Sequence, residues 1–336
     1  MTKKTVVAGH IDLDIIPSVD HHFDMEPGHL YEMGAPTMAT GGAVSNTGLT
    51  MHILGMPVTL MGKIGDDNFG SIIQSILKGR APGLEKGLAV DKDSISSYSA
   101  VINIPGTDRI FLHCPGANAT FCSKDVNWEA VGQADLFHFG YPCFMAATYA
   151  NEGAELKAMY RKAKELGVTT SMDPGMPDPN GPAGKVGWKK LLSELLKDVD
   201  VFMPSADELL YMVAPEKFGQ GDNLQPGELK ELGRLLLGFG AGVVAIKMGA
   251  RGMYITTGSA ERLAKMARGR RRIPPNGPTR RRSSPATSRT SSWVPRARAT
   301  PASAPSCRRC CGVSPLRMRG FSRRRLAPAM WRRPTR

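Results

Sequence analysis

Two aspartates two residues apart, Asp12 and Asp14, follow a short β-rich run, Thr5-Val-Val-Ala-Gly9. In extended chain, residues i and i+2 share a face, so both carboxylates can face one cleft. Such a pair suits a ligand rich in hydroxyls, because carboxylate oxygens accept hydroxyl protons and an unpaired buried polar group is costly. Farther on, Gly41-Gly42-Ala43-Val44-Ser45-Asn46 sets two glycines before an asparagine. Gly41 and Gly42 let the backbone approach a ligand closely, and the Asn46 amide donates and accepts at once, as vicinal hydroxyls require. The blander alternatives are a turn or cap role for one of the aspartates and a helix cap for Asn46. Twenty residues after Gly42 comes Gly62-Lys-Ile-Gly65-Asp66-Asp67-Asn68-Phe69-Gly70.

These residues sit within an alternation of strand-like and helical segments. Val58–Ile64, Leu136–Phe139, Val168–Met172, Val201–Met203 and Val243–Ile246 read as strands. Residues 152–166, 188–197, 206–213 and 228–238 read as helices. Phe69, Ile72, Ile73, Ile76 and Leu77 line one helical face. Tyr98–Ile104 and Arg109–His113 flank Pro105-Gly-Thr-Asp108, a hairpin signal. Several strands end in Gly, Asp or Pro, where ligand-facing loops begin. The expected architecture is an α/β three-layer fold with a central, mostly parallel sheet.

Of 336 residues, 41% are apolar and 22% charged, as in a soluble globular protein. No apolar run approaches the roughly 18 residues of a membrane span. The start has two lysines, but Asp12 and Asp14 interrupt its apolar stretch, against a signal peptide. Six cysteines without framework spacing argue for reduced thiols and a cytoplasmic setting. Gly9-His10-Ile11-Asp12 lacks the dinucleotide fingerprint, against an oxidoreductase. His10, His21 and His22 invite a metal, but their spacing completes no ligand set, and exposed or core histidine is the expected reading.

The net charge of +14 is unevenly placed. Residues 266–336 hold 20 of the 44 basic residues and none of the 30 acidic ones, giving +20 there and −6 in the body. The chain therefore divides into a body over 1–266 and an Arg/Pro/Ser-rich tail over 267–336. The tail has no sustained period and reads as disordered or misfolded. Nucleic-acid binding through it is a rival reading, testable by salt dependence, but nucleic acid is not the expected partner.

The paired glycines with Asn46, followed by Gly-x-Ile-Gly-x-Asp-x-Phe-Gly, resemble the ribokinase-type (PfkB) carbohydrate kinases over about residues 5–258. The resemblance implies a ribokinase-like fold with a small β lid, here near 15–40 and 95–118, that covers the sugar and can mediate homodimerisation. Gly116-Ala117-Asn118 matches the pattern after the second lid strand. It further implies ATP, Mg2+ and a sugar or nucleoside acceptor, with Asp12, Asp14, Gly41, Gly42 and Asn46 around the substrate. Val201-Phe-Met-Pro-Ser205-Ala-Asp-Glu208 resembles the family's Asn-x-x-Glu segment, with Glu208 on the magnesium side and Ser205 in place of Asn. The competing reading puts Glu208 in the first turn of a helix capped by Ser205. Ala245-Ile-Lys247-Met-Gly249-Ala-Arg-Gly252 resembles the turn that meets the nucleotide, where Lys247 would pair with phosphates and Gly249 leave them room. Plain surface charge is the alternative for Lys247. Leu136-Phe-His-Phe-Gly-Tyr-Pro142 has no acid where some relatives carry a sugar-contacting Glu.

The resemblance also implies a C-terminal Gly-x-Gly-Asp segment whose aspartate is the general base and whose backbone N–H groups form an anion hole. The frame as written is read as lacking it, so no catalytic residue is assigned. The genetic code offers an account: a slip near Met266–Arg268. In the shifted register, the junctions from Trp293-Val294 to Thr300-Pro301 permit Gly-Thr-Thr-Gly-Ser-Gly-Asp-Ala. The expectation is a sugar kinase by ancestry with impaired activity. A non-catalytic sugar- or nucleotide-binding protein is the alternative.

Overall fold

Val6 and Ala8 pack into one apolar cluster and Val7 into a second, so the first strand, β1 (Thr5–Gly9), is buried on both faces. That is the pattern of a central parallel strand covered by helices on either side. The computed structural model describes residues 3–267, and the expectations for the tail beyond residue 267, with the shifted register, lie outside the described residues.

After β1 come β2 (Asp12–Ser18), β3 (Gly34–Gly41), α1 (Gly42–Ile53), β4 (Val58–Met61), β5 (Lys63–Gly65) and α2 (Asn68–Arg80). Next are β6 (Ala89–Asp91), β7 (Tyr98–Ile102), β8 (Ile110–Cys114), α3 (Trp128–Gly132), β9 (Leu136–Gly140) and α4 (Ala146–Glu165). Then follow β10 (Thr169–Asp173), α5 (Trp188–Leu195), β11 (Val201–Phe202) and α6 (Ala206–Val213). The series closes with α7 (Pro226–Gly238), β12 (Val243–Lys247), β13 (Met253–Thr257) and α8 (Ala260–Ala264).

Seven strands form the main sheet in the order β13-β12-β11-β10-β9-β1-β4, all parallel except β13. A second sheet, β3-β2-β7-β8, stands beside it as a small β layer. β2 and β3 pair antiparallel and β2 and β7 parallel, while β7 and β8 form the expected antiparallel hairpin. The expected single strand over 58–64 is in fact two, β4 and β5, which belong to different sheets. The break falls at Gly62, where a Cβ would meet Ile11 Cγ2 at 2.6 Å. α4 begins earlier than the expected 152 and is interrupted at Ala150–Gly153 by non-helical backbone. β13 was not expected.

Asp200, fully buried just before β11, accepts from Lys164 at 2.7 Å, Arg262 at 2.8 Å and the Thr170 N–H at 3.0 Å, tying α8 to the sheet. Among the described residues no helix is long and apolar enough to cross a membrane.

Candidate active site

Two residues, His10 and Ile11, separate β1 from β2, whose register sets Asp12 opposite Gly41 and Asp14 opposite Ala39. The junction is pinned by buried Asn118, whose amide donates to the Ile11 carbonyl at 2.7 Å and accepts from the Ile11 N–H at 3.3 Å. Both carboxylates converge on Gly41: a Cβ there would stand 2.5 Å from Asp12 Oδ1 and 2.5 Å from Asp14 Oδ2. The missing side chain is what lets the two carboxylates converge there. Gly42 opens α1 at φ +78, and a Cβ there would meet the His10 carbonyl oxygen at 2.4 Å, so glycine is required on two counts.

Asp12 is buried, and its Oδ2 accepts from Ser99 Oγ at 2.5 Å. Ser99 Oγ lies 3.0 Å from His113 Nδ1. A carboxylate only accepts, so the Ser99 proton points at Asp12 and the Ser99 oxygen takes the His113 Nδ1–H. Burial and the Asp12 charge push the Asp14 carboxyl up to about 7, against the pull of Arg109. His10 is buried beside them, held down to about 4 by burial.

Asn46 is no cap. Gly41 occupies the N-cap position, and Asn46 lies a turn into α1, where its amide is near enough to the Tyr141 hydroxyl to favour its charged form. Tyr141, just past β9, holds a left-handed backbone (φ 62, ψ 48), rare for a bulky residue. Burial, with Asp173 nearby, pushes its hydroxyl up to about 12, against the Asn46 bond. The Tyr141 N–H donates to the Asp173 carbonyl at 2.8 Å, so Tyr141 stands between Asn46 and a second group of charged residues.

That group sits at the ends of β10, β11 and β12. Lys247 Nζ lies 2.7 Å from Asp173 Oδ2 and 3.8 Å from Glu208 Oε2. Glu208 Oε2 also accepts from the Ser205 N–H at 2.6 Å, while Ser205 Oγ accepts from the Glu208 N–H at 3.3 Å. This is a reciprocal capping box on α6. Burial raises the Glu208 carboxyl, opposed by Lys247 and reinforced by Asp173. Asp173 Oδ1 is buried with no hydrogen-bond partner. Gly249 has φ +53 and open space where a Cβ would point.

Residues 2–270 match the model of the pfkB family carbohydrate kinases. The chain belongs to this family. It is 29% identical to "Probable fructokinase-4" of Arabidopsis thaliana over 53% of this chain and 54% of that protein. With "Fructokinase-2" of Oryza sativa subsp. japonica the identity is 28%, over 61% and 58%. The chain thus spans a little over half the length of these curated relatives. Its fold matches the solved structures of a fructokinase with bound ATP from Xylella fastidiosa (TM-score 0.59, 18% identity, 76% of this chain and 75% of that one) and a ribokinase from Thermotoga maritima (TM-score 0.56, 17% identity, 76% and 75%).

Within this pfkB chain, Asp12, Asp14, Gly41 and Gly42 come together, while Asn46 lies a turn along α1 beside Tyr141. Lys247 and Glu208 form the second group, with Gly249 two residues past Lys247. Three residues escaped the sequence reading. Asp173 was signalled only by ending a β-rich run. Ser99 and His113 carry no local signal, because register across the small sheet brings them to Asp12. His21 and His22 are exposed. One further expectation needs correcting: Gly-x-Gly-Asp does occur in the frame as written, as Gly219-Gln220-Gly221-Asp222. It lies in the α6–α7 connection, with Asp222 exposed in a three-residue 3-10 turn whose carbonyl accepts from Arg251 Nη1. It opens no helix long enough to form an anion hole, and it precedes the Lys247 strand instead of following it.

Proposed function

We propose that this chain descends from an ATP-dependent kinase that transfers the γ-phosphate to a sugar hydroxyl, with fructose as the first acceptor to test. The observation that carries the reading is the approach of Asp12 and Asp14 to the side-chain-free Gly41. There, two carboxylates and a bare backbone can surround vicinal hydroxyls. Burial and the Asp12 charge push the Asp14 carboxyl up, so in its protonated form it can donate as well as accept, and Asn46 extends the set. A nucleoside is the alternative acceptor, and a cytoplasmic setting fits the reduced thiols.

Lys247 and Gly249 are assigned to the phosphates of ATP: an ammonium for charge and a backbone turn with open space. Magnesium prefers oxygen ligands, and Glu208 with the partnerless Asp173 Oδ1 fits it. A cation held there would supply charge neutralisation for the phosphates. The small sheet is assigned as the lid that excludes water and as the homodimer contact.

The residues described here are assigned to holding an acceptor and a donor, and the general base that the family resemblance implies, a C-terminal aspartate, is not among them. Losing a general base costs about 10²–10⁴-fold in rate. We assign that base to the shifted register of the tail, at the Ala299-Thr300 junction. The test replaces residues from 267 onward with the shifted-frame sequence and assays ATP-dependent phosphorylation of fructose and ribose against the chain as written. The repaired chain should be faster by at least 10²-fold, and equal rates would refute the reading. Fructose binding without ATP, detected by calorimetry and unaccompanied by turnover in either chain, would favour the non-catalytic alternative.

A further inference from the structure

We propose that His10, Asp12 and His113 form a site for a divalent transition cation of the zinc class, where the β1–β2 junction meets the small sheet. One ligand atom from each of the three lies within 4.8 Å of the others. Bonds of about 2.0–2.2 Å to nitrogen and oxygen hold ligand atoms roughly 3–4 Å apart, so a contraction of about 1 Å closes the set.

The independent observation is His10 itself. It is 2% exposed, and neither ring nitrogen has a hydrogen-bond partner; Asp12 Oδ1 is likewise buried and unpartnered. Buried polar atoms left this way are costly, and a cation would satisfy one nitrogen lone pair and the carboxylate oxygen together. The outer shell is already built. Ser99 donates to Asp12 Oδ2 and lies 3.0 Å from His113 Nδ1, which itself stands 3.7 Å from Asp12 Oδ2, so one hydroxyl ties the carboxylate to the imidazole. Metal ligands are commonly oriented by such outer-shell partners. Phe144 walls the cluster, its ring centroid 5.3 Å from that of His10 and 5.6 Å from that of His113.

The donor set decides the cation. Two imidazoles and one carboxylate suit zinc and its neighbours, with a position left for water or another oxygen. Magnesium takes oxygen and dehydrates reluctantly, so millimolar magnesium should not compete. The site does not rest on the kinase reading, since its test reads metal and not turnover.

The full chain is titrated calorimetrically with Zn2+ in excess Mg2+, without nucleotide or sugar, beside His113→Ala, Asp12→Asn and Ser99→Ala. Cysteines elsewhere can also take zinc, so the measured quantity is the difference from the parent. Outer-shell losses cost 10–100-fold in affinity; Ser99→Ala should fall in that range. His113→Ala and Asp12→Asn should lose one zinc equivalent or weaken it more than 100-fold. His113 is 24% exposed, so its variant should fold, as thermal melts would show. Co2+ in the same site should give d–d absorption without a thiolate charge-transfer band. Unchanged zinc stoichiometry and affinity in His113→Ala, or displacement of the zinc by Mg2+, would overturn the proposal. So would fructose binding at Asp12 by a chain that takes no zinc there.

Discussion

The Lys247 ammonium lies 2.7 Å from the carboxylate of Asp173, a residue 74 positions earlier in the chain. The two end strands β12 and β10, with β11 between them, so the parallel register alone brings the charges together. Glu208, at the start of the helix that follows β11, completes a triad of two acids and one base.

Removing the cation from that triad should destabilise the fold. Lys247→Met leaves two carboxylates facing each other at the strand ends. Because Lys247 is 35% exposed, the cost should fall below that of a fully buried pair, about 1–3 kcal/mol. Adding Asp173→Asn should recover part of it. Urea unfolding of the single and double variants decides the matter, and strictly additive losses would show that the pair is not coupled.

Ser205 stands where the family usually has Asn, and in this fold it serves the helix. Ser205→Ala should cost about 1 kcal/mol through loss of the α6 cap, whereas Ser205→Asn should be close to neutral, since both residues cap well. Equal destabilisation by the two would mean that the hydroxyl has a role other than capping.

Much of this arrangement is legible in the sequence because it is local. The i, i+2 spacing of Asp12 and Asp14, the glycines before α1 and the Ser205–Glu208 cap each depend on neighbours within a few residues. The hairpin of β7 and β8 follows from its turn. What sequence could not show is the pairing between distant strands. His113 reaches Asp12 because β8 lies beside β7 and β7 beside β2, and nothing near residue 113 announces that. Gly62 looks like any strand glycine until Ile11 is placed against it, and only then must the 58–64 run divide. Tyr141 gives no local sign of its left-handed backbone. Asn46 reads as a cap or a ligand until Tyr141 lies across from it.

Gly41→Ala should weaken the proposed binding of fructose while leaving the protein folded. The new methyl group would press on the ends of two side chains, Asp12 and Asp14, which can swing aside. Their displacement would break the convergence that the acceptor needs. Calorimetry should show binding weakened by at least ten-fold with the melting temperature changed by only a few degrees, and undiminished binding would remove Gly41 from the pocket.

His138 supplies a pH signature. It is buried in β9, with Nδ1 2.9 Å from Ser171 Oγ on β10 and Nε2 without a partner. Burial, and then the Lys247 charge on β12, lower its pKa from 6.5 to about 4. The folded protein therefore holds this ring neutral while the unfolded chain protonates it first. Its contribution to stability is complete above pH 6.5, declines as pH falls toward 4, and is flat below that, because both states then bind the proton. At about 1.4 kcal/mol per pKa unit, full loss amounts to roughly 3 kcal/mol. His138→Gln should flatten the dependence of unfolding free energy on pH across this window, leaving the slopes due to other groups. Denaturant unfolding at half-unit steps from pH 7 to 4.5 measures the difference, and parallel curves for the parent and variant would show that His138 is protonated in the fold or reached by water.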